Sequence, residues 1–494
     1  MFKKLFVANR GEIAIRIART ARELGIASVA VYTEVDRDAL HVRRADEAWS
    51  LGENPRAYLD AERLVDIAVR AGCDALHPGY GFLSENADFA ELCRARGVEF
   101  VGPPSDAIRV MGEKQRARAA MAAAGVPVVP GGGARTLEEA RATAASVGFP
   151  LLVKAAGGGG GRGMRLVKTE AELATALERA RSEAEKAFDN GAVYIEKALQ
   201  PARHVEVQVL GDREGTVTHL GERDCSLQRR HQKIVEETPC PILLPETRDA
   251  LFEVALQGAR AIGYHSAGTF EFLLDHSGRF YFLEMNTRLQ VEHPVSELVT
   301  GVDLVAEMLR VAAGERIAPE PPERRGVAIE ARITAEDPER GFSPSPGTIE
   351  RLVSPSGPGV REDSGVQAGS RVPTDYDPLL SKLCVWAPDR PRALARLGRA
   401  LGECVITGIS TNLGLLERLV ASPAVRAGNY DTAFVERELE AILGAEAPGE
   451  HSERVIAAAV AALVARLEAN AGARRAEQPL SPWVAIERAS RLDK

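Results

Sequence analysis

The sequence predicts an α/β fold in several domains, passing to α+β in its C-terminal part, and three observations carry that prediction. Short β-branched runs alternate with amphipathic helical segments from the first residues to about 130. From about 204 to 300 the pattern changes to polar–apolar alternation around turn residues, which reads as antiparallel hairpins. Between these regions, residues 131–203 form a small α/β unit that carries five consecutive glycines, Gly157–Gly161. A chain of 494 residues has room for about three domains of ordinary size.

Taken in order, "KKLFVA" is an apolar strand, and "GEIAIRIARTARELG" sets Ile13, Ile17, Ala21 and Leu24 on one helical face. "ASVAVYT" is β-branched; "DALHPG", the helix "SENADFAELCRARG" and "VEFVGP" continue the alternation. Strands that alternate with helices imply a parallel sheet covered on both faces. No GxGxxG turn follows the first strand, which disfavours a dinucleotide there. A helix is expected over Ala107–Ala124, and "GVPVVPGGG" marks a boundary. "LLVKAA" and "MRLV" read as strands, so the glycines between them turn a hairpin. Residues 158–163 match GxGxxG but no helix follows, and no P-loop occurs anywhere. What remains is a loop whose bare N–H groups can close over a polyanion, with Lys154 and Arg162 supplying charge. A solvated linker is the plainer reading, but five glycines between two short strands make a poor linker. Further on come the hairpins "HVEVQVLGDREGTVTHLGE" and "GTFEFLLDHSGRFYFLEMN", a Pro-rich break at 318–322, and an α/β region to about 446. An Ala-rich helical tail runs from about 450 and includes Trp483.

Composition narrows the classes. Apolar content of 45% and charged content of 27% are ordinary for a globular chain, so a core rather than disorder is expected. The net charge is −8 and the basic residues are dispersed, which gives no nucleic-acid surface. Six cysteines without a CxxC pair argue against a disulfide framework and for a reducing compartment. Only four apolar residues separate Lys4 from Asn9, too few for a signal-peptide core. No run is long enough to cross a membrane. A soluble cytoplasmic protein is expected.

The second informative stretch is "FYFLEMNTRLQVEHP", residues 280–294. An extended chain would place Glu284, Asn286, Arg288, Gln290 and Glu292 on one face. With the preceding turn at "DHSG", Glu271 is expected opposite Phe282, with Glu284 diagonally adjacent at about 7 Å. Two carboxylates and an amide so gathered repel unless a hard cation lies between them, and Mg²⁺ suits that set. Arg288 then offers an anion-binding fork and Glu292 a general base. "ERDCSLQRRHQK" adds a basic cluster, Arg229, Arg230, His231 and Lys233; such a cluster is a solvated turn unless an anion is independently implied. His204 starts a hairpin strand, where a lone histidine is usually structural. The backbone of "YIEKAL" could read an adenine edge. Lys114 would be a surface helix lysine on any neutral reading. Arg332 sits on an apolar strand, where an unpaired guanidinium is costly and an anion-facing role is favoured.

"FVANRGEIA", "HPGYGFLSEN", "KAAGGGGGRGMR", "RHVEVQVL", "ERDCSLQRRHQK", "EMNTRLQVEHPV", "AEDP" and "YDPLLSKL" follow one another in the order found in biotin carboxylases. The resemblance covers nearly all of residues 1–446. It implies an ATP-grasp fold with a Rossmann-like N-terminal domain (1–113), an ATP-grasp domain (114–325, its mobile lid at about 131–203), a C-terminal biotin carboxylase domain (326–446) and a helical extension (447–494). By this resemblance Lys114, Lys154, Glu196, His204 and the backbone near Lys197 and Leu199 hold ATP, and Gly158, Gly159, Gly160 and Gly161 close over its phosphates. Glu271, Glu284 and Asn286 carry two Mg²⁺ or Mn²⁺ ions. Arg288, Gln290, Lys233 and the backbone of Val291 bind bicarbonate, Glu292 deprotonates it, and Arg332 stabilises the biotin anion. The expected partners are a biotin carboxyl carrier protein, a carboxyltransferase subunit and a second copy of the chain, because no "AMKM"-type biotinylation site is present. "EARITAEDP" departs mildly from the "ECRINAEDP" of many relatives but keeps Arg332. Two other readings stay open at this level: another carboxyphosphate-forming ATP-grasp ligase, and a non-catalytic ATP-binding subunit.

Overall fold

The computed structural model describes residues 1–155, 165–188, 193–445 and 460–467. Gly158–Gly161 and most of the tail therefore lie outside the described residues. Residues 1–445 form one compact unit, and from the remainder the segment 460–467 is helical, in keeping with its Ala-rich composition.

The first strands form the expected parallel sheet, in the order Glu47–Ser50, Ala27–Tyr32, Lys4–Val7, Ala75–His77, Glu99–Phe100. The helix Gly11–Glu23 buries Ile13, Ile17 and Ala21 against it. Strand order reverses between Lys4–Val7 and Ala75–His77, and the loops leaving these two strands open a crevice at their carboxyl ends. Asn9 ties those loops together, donating from Nδ2 to the carbonyls of Pro78 at 2.7 Å and Tyr80 at 2.8 Å.

The helix expected over Ala107–Ala124 is two, Ser105–Gly112 and Lys114–Ala123, because Glu113 takes an extended conformation. This break makes Lys114 the first residue of a helix rather than a point on a continuous surface.

The described strands between 131 and 197 form an antiparallel four-stranded sheet, ordered Gly131–Ala134, Val193–Lys197, Leu151–Ala155, Arg165–Val167. The helices Leu137–Val147 and Glu170–Phe188 close one side of its core around Leu151, Val153 and Ile195. Leu151 pairs with Val167, so the strands flanking the glycine run do form a hairpin.

The floor of the molecule is a single eight-stranded antiparallel sheet, ordered Phe280–Asn286, Ser266–Asp275, Ala202–Gly211, Val217–Arg229, Gln232–Thr238, Val327–Thr334, Leu379–Ala387, Val360–Ser364. It runs on across the Pro-rich segment at 318–322 without interruption. Register slips occur between Val207 and Val209, between Asp224 and Leu227, and between Glu271 and Phe272. Such bulges bend strands and increase local twist.

The last of these slips corrects the expected register. The loop after Asp275 has three residues, closed by the Asp275 N–H donating to the Arg279 carbonyl at 2.8 Å, with Gly278 in the left-handed region at φ +82°. Phe272 therefore pairs with Phe282. Leu283 is then an extra residue, so Glu271 lies directly opposite Glu284, not opposite Phe282. Without that bulge Glu284 would point to the other face.

Candidate active site

A cavity of about 1070 Å³ lies between the crevice loops, the strands beside the glycine run and the polar face of the large sheet. A smaller one of about 340 Å³ shares Lys114, Lys154, Glu196, Glu284 and Asn286 with it. All the predicted site residues in the described segments line the larger cavity except Lys197. The Lys197 ammonium instead donates to the carbonyls of Phe149 at 2.8 Å and Gly148 at 3.2 Å, at the end of the helix Leu137–Val147.

Residues 287–292 do not extend the strand as alternation predicted. The strand ends at Asn286, an irregular turn follows, and a helix starts at His293. The turn nevertheless gathers the expected side chains by hydrogen bonding. Arg288 donates from Nη2 to Asn286 Oδ1 at 2.9 Å, from Nη1 to Gln290 Oε1 at 2.8 Å, and from Nε to Glu85 Oε2 at 3.1 Å. Asn286 Nδ2 and Gln290 Nε2 donate to Glu271 Oε1 at 2.8 and 3.1 Å.

Lys233 stands at the centre. Its Nζ donates to Glu206 Oε2 at 2.6 Å, Glu271 Oε1 at 2.9 Å and Glu292 Oε1 at 2.6 Å. Glu271 and Lys233 lie on strands three apart in the sheet. In a flat sheet that is a spacing of about 14 Å, so contact between their side chains requires the sheet to curl into a trough. Burial acts to lower the proton affinity of Lys233, but Cys225 and the three carboxylates hold it well above the usual lysine range. Arg332 donates from Nε to Glu236 Oε1 at 2.6 Å and from Nη2 to Glu292 Oε2 at 2.9 Å. Both oxygens of Glu292 thus meet cations. Burial acts to raise the Glu292 carboxyl, yet Lys233, Arg332 and Arg223 hold it well below the ordinary range and keep it ionised.

The end of the cavity lined by Lys114 and Lys154 is also cationic. Lys154 pairs with Glu196 at 2.6 Å, and burial followed by Lys154 lowers Lys114. His204 Nε2 lies 3.0 Å from Glu271 Oε2.

Glu206, Arg223, Glu236 and Glu85 were not anticipated. Glu206 had a signal: His204, Glu206 and Gln208 alternate with valines along one strand, the pattern of a polar face. Fully buried Arg223 holds Glu206 at 2.5 Å and also bonds Gln208, Ser296 and Thr269. Nothing in its sequence neighbourhood marks it.

The residues present fit a divalent ion. Glu271 and Glu284 are facing carboxylates, and burial together with Glu271 pushes the Glu284 carboxyl up, with Lys114 and His204 opposing. A hard cation between them relieves that repulsion, and two carboxylates with the Asn286 amide oxygen form an all-oxygen donor set suited to Mg²⁺ or Mn²⁺. Glu206 and Glu292 each meet two cations of the protein, Lys233 with Arg223 or Arg332, whereas Glu271 shares Lys233 and faces Glu284, so the ion belongs on the Glu271–Glu284 side.

An antiparallel unit closing over a cavity floored by paired carboxylates, beside a parallel-sheet crevice, defines an ATP-grasp ligase. Residues 1–108 match the biotin carboxylase N-terminal domain, 113–319 the ATP-binding domain of the carbamoyl-phosphate synthase L chain, and 330–437 the biotin carboxylase C-terminal domain. The chain is 50% identical to the biotin carboxylase of Nostoc sp. over 441 residues, covering 88% of this chain and 99% of that one. It resembles the biotin carboxylase domain dimer of Hydrogenobacter thermophilus 2-oxoglutarate carboxylase, solved with MgADP, ADP and bicarbonate, with a TM-score of 0.86 at 48% identity, covering 90% of this chain and all of that one. A Campylobacter jejuni biotin carboxylase–β,γ-ATP complex gives a TM-score of 0.86 at 46% identity, covering 88% of this chain and 99% of that one. This chain belongs to the biotin carboxylase family and is an ATP-dependent ligase. Among the described residues no helix is long and apolar enough to cross a membrane.

Proposed function

We propose that the chain carboxylates biotin carried on a separate biotin carboxyl carrier protein, using ATP and bicarbonate. It would act as a cytoplasmic homodimer beside a carboxyltransferase, in the first half-reaction of an acetyl-CoA or acyl-CoA carboxylase. The observation that carries this reading is Glu292, ionised and buried between Lys233 and Arg332.

Lys233, Arg288, Gln290 and the Val291 N–H bind bicarbonate, an anion that suits this set of donors. Glu292 takes its proton, and the resulting oxygen attacks the γ-phosphorus of ATP, releasing ADP and forming carboxyphosphate. A carboxylate held by two cations is a weak base. Its basicity rises when Lys233 turns to the incoming anion, because one opposing charge is then shared. Lys114 and Lys154 lie where charge builds on the transferred phosphoryl group. Glu271, Glu284 and Asn286 would hold magnesium or manganese, which would supply further charge neutralisation there. Carboxyphosphate breaks down to carbon dioxide and phosphate, the phosphate takes the proton from biotin N1, and N1 attacks the carbon dioxide. Once Glu292 is protonated, Arg332 has lost one of its two anionic partners and can face the enolate-like biotin anion. Water would destroy the intermediate, so closure of the unit 131–203 over the cavity belongs to the reaction.

The test is ADP release by the purified chain with Mg²⁺ and bicarbonate, with and without free biotin or a biotinylated carrier. Strong stimulation by biotin is expected. Turnover that needs bicarbonate but ignores both forms of biotin would point to another carboxyphosphate-forming ligase. ATP binding without turnover, alone or with carrier and transferase, would point to a non-catalytic subunit.

A further inference from the structure

Lys382 lies in the strand Leu379–Ala387 with 0% of its surface exposed, directly opposite Arg332 on the neighbouring strand. Its Nζ donates to the carbonyl of Val291 at 2.7 Å and lies 3.3 Å from Glu12 Oε1. Glu12 belongs to the first turn of the helix Gly11–Glu23 and accepts from the Tyr80 hydroxyl in the crevice. A buried ammonium is costly to keep, and a methionine or leucine would fill the same volume without that cost. What an apolar side chain cannot do is donate to a carbonyl.

That carbonyl belongs to the turn joining the metal end of the site to Glu292. No sheet ladder fixes this turn, since the strand ends at Asn286 and the helix starts at His293. A bond to the Val291 carbonyl fixes the peptide plane between Val291 and Glu292. It thereby fixes the direction in which Glu292 leaves the backbone toward Lys233 and Arg332. Burial lowers the proton affinity of Lys382, but Glu12, Glu330 and Asp363 more than restore it, so the donor stays charged.

We infer that Lys382 is a positioning residue for this reaction: through the Val291 carbonyl it sets the turn that presents Gln290, the Val291 N–H and Glu292 to bicarbonate, and Glu12 couples that setting to the N-terminal crevice. This inference rests on the bicarbonate reading above. Bicarbonate-dependent ADP release by the parent enzyme tests that reading, whereas comparison of variant with parent tests this one.

The experiment measures kcat, KM for bicarbonate and KM for ATP in Lys382→Met and Glu12→Gln, with melting temperature and ATP-analogue affinity as controls for folding. For Lys382→Met, kcat/KM for bicarbonate should fall about 100-fold, as expected for a small misplacement of reacting groups, while ATP affinity stays within about twofold. Glu12→Gln keeps the volume and removes the charge that holds Lys382. It should move the bicarbonate constant the same way by about tenfold. A folded Lys382→Met enzyme with bicarbonate parameters near the parent's would overturn the inference, as would equal losses toward ATP and bicarbonate, the mark of general loosening. If Lys382→Met does not fold, Glu12→Gln decides by the same contrast between substrates.

Discussion

Lys233 holds one oxygen of Glu292 at 2.6 Å while that residue's other oxygen is taken by Arg332. Glu292 is therefore stored as an ion, neutralised from within the protein, and on the proposed mechanism it becomes usable as a base when a substrate anion competes for its cations. The adjoining end, lined by Lys114, Lys154 and Glu196 and proposed to take the nucleotide, depends on other residues, so the two ends can be separated by mutation.

On the proposed roles, Glu292→Gln removes the proton acceptor and Arg332→Ala removes the guanidinium that would face biotin. Each should lower biotin carboxylation by about 10²- to 10⁴-fold, the range expected for loss of a general base or of a preorganised charge. Binding of a non-hydrolysable ATP analogue should change little, because Lys114, Lys154 and Glu196 are untouched. Paired titrations and ADP-release assays check this. Near-parent carboxylation by either variant would contradict the assigned roles.

Glu284→Gln keeps the shape of the metal end but leaves one carboxylate where two faced each other. The Mg²⁺ or Mn²⁺ concentration for half-maximal ADP release should rise about tenfold or more, in line with what loss of a group at a metal site costs. A metal titration of variant and parent decides it: identical midpoints would remove Glu284 from the metal's ligands.

Acid should weaken the fold through buried histidines. Burial drives His41 down to about 4, with Arg10 in the same direction and Asp36 against it. Burial, then Arg324, drives His219 to about 4 as well. Both imidazoles have a lower proton affinity folded than unfolded, so their contribution is complete above about 6.5. It is lost as pH falls toward and through about 4. Melting temperature should decline across that window, and the double variant His41→Gln/His219→Gln should decline less steeply. An unchanged slope in the double variant would assign the acid sensitivity to other groups.

Most of the architecture was legible because periodicity is a local property. The parallel start, the hairpin around the glycines and the antiparallel floor all follow from runs of side chains that report their own faces. Convergence of the site was less legible. Alternation suggested a single extended face from Glu284 to Glu292, but the chain leaves the strand at Asn286 and the side chains meet through hydrogen bonds in a turn. Glu206 could have been read from its alternating strand. Arg223, Glu236 and Lys382 could not, because a charged group buried in a sheet is justified only by partners distant in sequence, such as Glu206 for Arg223, Arg332 for Glu236 and Val291 for Lys382. The split of the helix at Glu113, which places Lys114 at a helix start in the cavity, is marked locally only by Gly112.

The extra residue at Leu283 gives this segment an unequal tolerance to different kinds of genetic change. Leu283 matters by being counted: its presence turns Glu284 toward Glu271. Exchange of its side chain for another of similar size leaves that count intact. Loss of the codon, or gain of one beside it, would invert every side chain from there to the end of the strand. Descendants of this gene should therefore vary in spelling at this point while keeping its length.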